Sequence, residues 1–289
     1  MRRKLSLCLA AALTLALLAG CSDPSAAQTG PSAPGSPPAD TAPVTATPEP
    51  TPESTPEPTP EPTSTPWWPV YEFGVPVEEN EPAEDDSFFD NAVFLGDSRT
   101  EGLEMFGGLK HGAYYWARGM TVFRADDENY KIFSIDGEDF TLLGALSQRS
   151  YDAVYIMIGV NELGYSAASY ESGLSRLVDE VVAAQPEAVV YLQIMPPVND
   201  AMCRANDLPD YINNDTLRKF NEAILRVAAE KKVALLNTAE AYTGEDGQLP
   251  RELASDGCHF AYKAYSRWAD YIRTHIIDRE RYFYSREQA

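Results

Sequence analysis

The chain has 289 residues with 23 Lys and Arg against 44 Asp and Glu, a net charge of −21. That charge argues against nucleic acid as the main partner, because phosphate backbones need a clustered basic surface. Hydrophobic residues make up 44%, enough for a packed core, and the longest apolar run, Leu5 to Gly20, is shorter than the roughly 20 residues of a membrane span, which excludes a polytopic membrane protein.

The chain opens with Arg2, Arg3 and Lys4, followed by a Leu- and Ala-rich stretch. This is the charge and hydropathy pattern of an export signal. It ends in Leu18-Ala19-Gly20-Cys21, which resembles the lipobox of bacterial lipoproteins. The resemblance implies cleavage after residue 20 and lipidation of Cys21. The protein is then expected to be extracytoplasmic and held to the bacterial cell membrane by that lipid. An acidic chain is repelled by anionic headgroups, so the attachment has to be the covalent lipid.

Residues 21–66 hold 14 of the 22 prolines and no Lys or Arg. Thr-Pro-Glu-Pro repeats of this kind bury too little surface to fold and favour an extended chain of about 3.1 Å per residue. They read as a linker that lifts a domain from the membrane, or as a neutral spacer. The domain is expected over 67–289, with its motif-bearing core at 85–289. Trp67 and Trp68 open it, either packing on the domain or offering a platform for carbohydrate.

Within the domain, apolar runs alternate with amphipathic stretches. Strands are expected at Ala92–Leu95, Ala113–Trp116, Ala153–Ile158, Ala188–Met195 and Val233–Leu236. Helices are expected at Arg99–Phe106 and Thr141–Arg149, along the stripe from Tyr170 to Val182, from Asn214 as cap through Lys231, and at Tyr262–Ile276. Strands that are apolar throughout, separated by helices, form a parallel sheet covered on both faces. Ligands of such sheets lie at the carboxyl ends of the strands.

Chemistry-bearing residues follow those ends. Gly96-Asp97-Ser98 comes after the first strand and opens a helix, whose N-terminal N–H groups suit a developing oxyanion. Arg118-Gly119 follows the second strand and Gly159-Val160-Asn161-Glu162 the third. Asp256-Gly257-Cys258-His259 precedes the last helix, at a spacing that lets the aspartate orient the imidazole. Singly these signals are weak, since a serine at a helix start is more often only a cap. No zinc spacing or phosphate-binding loop is present in the sequence, so neither a metal nor another cofactor is expected.

In this order the four segments resemble the SGNH (GDSL) hydrolase family. Phe94-Leu95-Gly96-Asp97-Ser98 matches its first block, Gly119 the second, Gly159-Val160-Asn161 the third and Asp256-Gly257-Cys258-His259 the last. The resemblance implies a three-layer α/β/α sandwich with a five-stranded parallel sheet, flavodoxin-like, and ester hydrolysis. It makes Ser98 the nucleophile, His259 the general base and Asp256 its orienter. The oxyanion hole falls to the Ser98 and Gly119 N–H groups and the Asn161 side chain. The sequence departs from the pattern at Glu162, where Asp is common, and at Cys258, where an aliphatic residue is usual. An α/β-hydrolase elbow is excluded, because Thr100 stands where Gly-x-Ser-x-Gly needs glycine.

A stalked position at the cell wall favours short acyl or O-acetyl groups on a cell-wall or other carbohydrate as substrate. A lysophospholipase or thioesterase of the same fold, and a silent surface-binding module, stand beside that reading. With Cys8 in the leader and Cys21 lipidated, Cys203 and Cys258 remain in an oxidising compartment. They form either a disulfide beside the site or two separate buried thiols.

Overall fold

The computed structural model describes residues 68–82 and 85–289. The expected leader (1–20), Cys21, the linker (21–66) and Trp67 lie outside these residues. In chain order come β1 (Ala92–Gly96), α1 (Ser98–Phe106), β2 (Ala113–Trp116), a hairpin of β3 (Phe133–Ile135) and β4 (Glu138–Phe140), and α2 (Leu142–Leu146). There follow β5 (Ala153–Met157), α3 (Ala167–Ala184), β6 (Val189–Gln193), α4 (Asp200–Ala205), α5 (Asn214–Lys231), β7 (Ala234–Leu236), α6 (Tyr265–Thr274) and α7 (Arg279–Gln288).

Five strands pair in the order β2-β1-β5-β6-β7, and every pairing is parallel. This is the expected α/β sandwich. From β1 the chain steps outward to β2, then returns to the other side of β1 for β5. That reversal opens a crevice at the carboxyl ends of β1 and β5, where ligands of doubly wound sheets bind.

Strand residues alternate between two cores. Val93, Leu95, Val154, Ile156, Val190 and Leu192 face one cluster with Leu174 and Leu177 of α3 and Phe220 and Ile224 of α5. Phe94, Tyr155 and Tyr191 face the other, with Leu103 of α1, Trp268 and Ile272 of α6 and Tyr282 of α7. On this second face the parallel register sets Tyr114, Phe94, Tyr155 and Tyr191 side by side. Their rings stack at centroid distances of 4.7, 4.8 and 4.5 Å across four strands. Such cross-strand aromatic contacts add to the area buried and help to fix register. At the end of β6, buried Gln193 accepts hydrogen bonds from Trp268 Nε1 (2.7 Å) and Thr238 Oγ1 (3.0 Å).

Several details differ from the sequence expectation. The cap of α5 is Asn213, whose side chain accepts the Thr216 N–H, while Asn214 is already helical. The expected helix from Tyr262 begins as a 3-10 turn, Tyr262–Ala264, and becomes α-helical only at Tyr265. The β3–β4 hairpin was not expected, although its turn residues Asp136 (φ 51°) and Gly137 (φ 86°) are the Asp-Gly pair that two-residue hairpins favour. Helix α7 carries almost no apolar stripe. It is held by buried Tyr282 and Ser285, so tertiary contacts override a weak pattern.

The arm after Trp68 packs on the domain. Tyr71 is buried; its N–H donates to Ser285 Oγ at 2.7 Å, and its hydroxyl donates to the Val75 carbonyl. That hydroxyl also accepts the Leu235 N–H at 3.1 Å. The Leu235 carbonyl in turn accepts the Val77 N–H at 2.8 Å. The arm thereby satisfies backbone groups on the outer edge of β7, which would otherwise be an open edge. Tyr71→Phe removes the acceptor for the buried Leu235 N–H and should destabilise the domain by about 1–3 kcal/mol. A lower urea midpoint with an unchanged slope is the expected result.

Candidate active site

The crevice is built from four loops. Ser98 is the first residue of α1, separated from the buried end of β1 only by Asp97. Asp97 caps that helix, its Oδ1 accepting the Arg99 N–H at 2.8 Å. The first N–H groups of a helix have no partner within it, so the Ser98 N–H is left without an intrahelical bond at the positive end of the helix dipole, beside the cavity that Ser98 lines.

Opposite stands the Asp256–His259 turn. Asp256 Oδ1 accepts the backbone N–H groups of Cys258 (2.8 Å) and His259 (2.7 Å). Its Oδ2 pairs with His259 Nδ1 at 2.8 Å, and His259 Nε2 lies 2.9 Å from Ser98 Oγ. Burial works against ionisation of Asp256, but the bonds from the His259 ring and the two N–H groups outweigh it and hold the carboxyl well below the ordinary carboxylate range. The imidazole therefore has a fixed anion behind it. The turn depends on Gly257, which lies at φ +104° and whose added Cβ would fall 2.5 Å from the Cys203 backbone nitrogen. Its carbonyl accepts the Asn199 N–H at the start of α4, so α4 backs the turn.

Gly119 lies at φ +74° in the loop after β2, with open space on its Cβ side. Asn161 occupies the turn after β5 and donates from Nδ2 to the Met120 carbonyl at 2.9 Å. An amide carries two N–H bonds, so one remains for the crevice. Ser98, Gly119, Asn161 and His259 line one cavity of about 780 Å³. Asp256 stands behind the imidazole. The structure thus brings together every residue expected at the site except Cys21, which lies outside the described residues. Among the described residues, no three His, Cys, Asp or Glu side chains gather as a metal-holding group.

The disulfide is not formed: Cys203 and Cys258 are two buried free thiols. The Cys258 sulfur is turned to within 3.8 Å of Arg99 Nη2. The Cys203 sulfur packs against Gly257, and burial pushes its thiol up to about 11.

Two residues to which the sequence reading gave no role, Arg99 and Glu162, organise these loops. Arg99 is 1% exposed. Its Nε and Nη2 donate to the Cys258 carbonyl at 3.2 and 2.9 Å, and Nη1 to the Pro196 carbonyl at 3.3 Å. Its guanidinium lies 5.3 Å from the Phe260 ring centre. One side chain therefore ties the serine helix to the histidine turn and to the segment after β6. The signal available was a charged residue immediately after the serine, inside a helix that otherwise packs on the sheet. Glu162 is fully buried, and its Oε1 accepts the Val122 N–H at 2.7 Å. Together with Asn161 it fastens the Gly119 loop at two points. The glutamate that departs from the family pattern is thus a structural member of that loop.

Burial raises the Glu162 carboxyl to about 8 from an ordinary 4.5; the Val122 N–H opposes this and the nearby Asp97 charge adds to it. Below about pH 4.5 the folded and unfolded chains both hold this proton. Between the two values the unfolded chain has lost it and the folded chain retains it, so stability falls as pH rises and levels off above pH 8. Glu162→Gln does not titrate. Its stability relative to the parent should rise from pH 5 to pH 8 in urea unfolding; a constant difference would show that Glu162 is ionised in the folded protein.

A hydroxyl against an imidazole that is itself paired with a carboxylate is a constellation able to shuttle a proton from serine to a leaving group. The same chain matches known proteins. A family model described as the GDSL-like lipase/acylhydrolase family covers residues 94–267. Among solved structures, one from Streptococcus pneumonia, named for platelet activating factor, aligns at 20% identity and TM-score 0.50 over 63% of this chain and 81% of its own. A GDSL-like lipase from Bacteroides thetaiotaomicron aligns at 16% identity and TM-score 0.47 over 66% and 89%. A Bacteroides fragilis protein described as an acylhydrolase aligns at 16% and 0.48 over 68% and 88%. No curated protein matches. With the family model spanning more than half of it, the chain belongs to the GDSL-like lipase/acylhydrolase family, the ester-hydrolysing serine hydrolases.

Proposed function

We propose that the protein is a cell-surface esterase that removes short acyl groups, O-acetyl foremost, from a cell-wall or other carbohydrate. Ser98 is its nucleophile, His259 its general base and Asp256 the orienter. The observation that carries this reading is the chain of contacts from Ser98 Oγ to His259 Nε2 (2.9 Å) and from His259 Nδ1 to Asp256 Oδ2 (2.8 Å) at an open cavity.

With Nδ1–H donating to the carboxylate, Nε2 is the acceptor and takes the Ser98 proton as Oγ attacks the acyl carbon. The carbonyl oxygen becomes an oxyanion. The Ser98 and Gly119 N–H groups and the free Asn161 N–H are its donors. The oxyanion collapses, the bond to the alcohol breaks, and His259 gives its proton to the leaving oxygen. Water then attacks the acyl-serine by the same route. It gives a proton to His259, and Ser98 recovers one as the acid departs.

The substrate class rests on two supports. The basic leader and Leu-Ala-Gly-Cys support a lipid on Cys21, and the Pro-rich composition of residues 21–66 supports a linker between that lipid and the domain, which favours substrates among wall polymers. The cavity is open at its rim, where Met105 and Tyr262 are each 60% exposed. A long alkyl chain, on the acid or on the alcohol, would remain half in water at that rim. That apolar rim is also what favours the second reading, a lysophospholipase or thioesterase. Activity on esters of one alcohol should therefore peak at acetyl to butyryl; a maximum at eight carbons or more would favour the second reading.

Ser98→Ala and His259→Ala should each lower kcat by several orders of magnitude, with the double variant little worse than either. Asn161→Ala should lower kcat by about 10²–10³. Ordinary esterase turnover by Ser98→Ala would remove the assignment. Cys21→Ala should block lipidation and leave an uncleaved or freely secreted form; a variant that both partitions into detergent and runs on a gel like the wild type would end the lipoprotein reading.

A further inference from the structure

The cavity has two unlike walls. Along α1, Glu101 holds Arg118 through two bonds of 2.6 Å, beside the Gly119 loop. The other wall is aromatic. Gly102 has no side chain, and a Cβ there would lie 2.0 Å from Tyr265 Cζ. Tyr265 therefore packs directly on α1, buried, with its ring 6.1 Å from that of Phe106. This close approach brings the preceding turn, Tyr262–Ala264, to the cavity mouth. Tyr262 and Phe106 meet there at 6.3 Å with their planes at 65°, and both line the cavity that holds Ser98 and His259. They stay 60% and 46% exposed. A single exposed aromatic residue is ordinary, but two in contact beside a reacting serine form a surface with a use.

The chemistry says which part of the substrate meets that surface. His259 returns its proton to the leaving oxygen, so the alcohol departs on the histidine side. The oxyanion and acyl carbon lie toward Gly119 and Asn161. Tyr262 follows His259 by three residues on the same segment, and both line the cavity. We infer that Tyr262 and Phe106 are the subsite for the leaving alcohol, and that it takes the flat C–H face of a sugar ring. This deepens the proposed function and rests on it. A sugar ring buries one apolar face on an aromatic ring and keeps its hydroxyls in water. An alkyl chain on so exposed a wall would leave its outer side bare. Lys263 Nζ, 5.6 Å from the Tyr262 ring centre, helps to keep that ring in place.

The test compares wild type, Tyr262→Ala, Tyr262→Phe and Phe106→Ala on ethyl acetate and on three carbohydrates: acetylated xylan, acetylated chitin oligosaccharides and O-acetylated peptidoglycan. Ethanol is too small to reach the wall. Tyr262→Ala should lower selectivity, kcat/KM for carbohydrate over ethyl acetate, about ten-fold through KM. Tyr262→Phe, which keeps the ring, should restore it, and Phe106→Ala should lower it less. Equal losses on both substrates, or an unchanged ratio with a wild type active on carbohydrate, would overturn the subsite and leave the esterase reading standing. A wild type that cleaves ethyl acetate and none of the three carbohydrates would overturn both.

Discussion

The buried guanidinium of Arg99 is the constraint on which the site depends. A cation taken out of water requires acceptors at every side, and in this crevice they are carbonyls of the Cys258 turn and of Pro196. Those carbonyls belong to separate loops, so satisfying one side chain fixes the spacing of both against α1. The Ser98–His259 distance of 2.9 Å follows from that spacing, because Cys258 is covalently next to His259 and Arg99 next to Ser98. A lysine would carry the charge but not the planar fork that reaches two loops at once.

Around this cation the carboxyl groups are differentiated by their donors. Asp256 receives three N–H bonds and is held ionised. Glu162 receives one, from Val122, and burial keeps its proton on up to about pH 8. Burial also pushes Asp97 upward, against the pull of the Arg99 N–H. The imidazole thus has its own anion behind it, while the carboxyl under the Gly119 loop serves as a neutral brace. Two carboxyl groups of similar intrinsic acidity serve opposite purposes because one is fully buried with a single donor and the other is half-buried with three.

Much of this was legible in the sequence, for identifiable reasons. The five strands announced themselves because both faces of a parallel sheet are buried, so Ala92–Leu95 and Ala153–Ile158 are apolar without interruption. Ser98, Gly119, Asn161, Asp256 and His259 were legible because their segments, weak singly at strand ends and in a turn, stand in the order of the blocks of the family they resemble. What was not legible depended on distant partners. Arg99 looks like any charged helix residue until Cys258 and Pro196 are placed around it. Helix α7 has no stripe of its own and is ordered through Tyr282 and Ser285. The thiols of Cys203 and Cys258 share one neighbourhood, but orientation decides bonding, and the Cys258 sulfur faces the guanidinium. Sequence spacing carries no information about that rotamer.

The division of labour along α1 places a buried, fully tied turn and an exposed cavity rim on one short helix. Its first turn is fully committed: Asp97 caps it, Ser98 meets His259 and Arg99 ties the loops. One turn further, Glu101 and Gly102 diverge to opposite sides, toward Arg118 and Tyr265. By Met105 and Phe106 the side chains are exposed at the cavity rim. Constraint therefore decreases with distance from the serine. Substitutions at the outer end can reshape what is recognised without disturbing the buried ties at the inner end, since residues two turns apart on a helix share no backbone hydrogen bond.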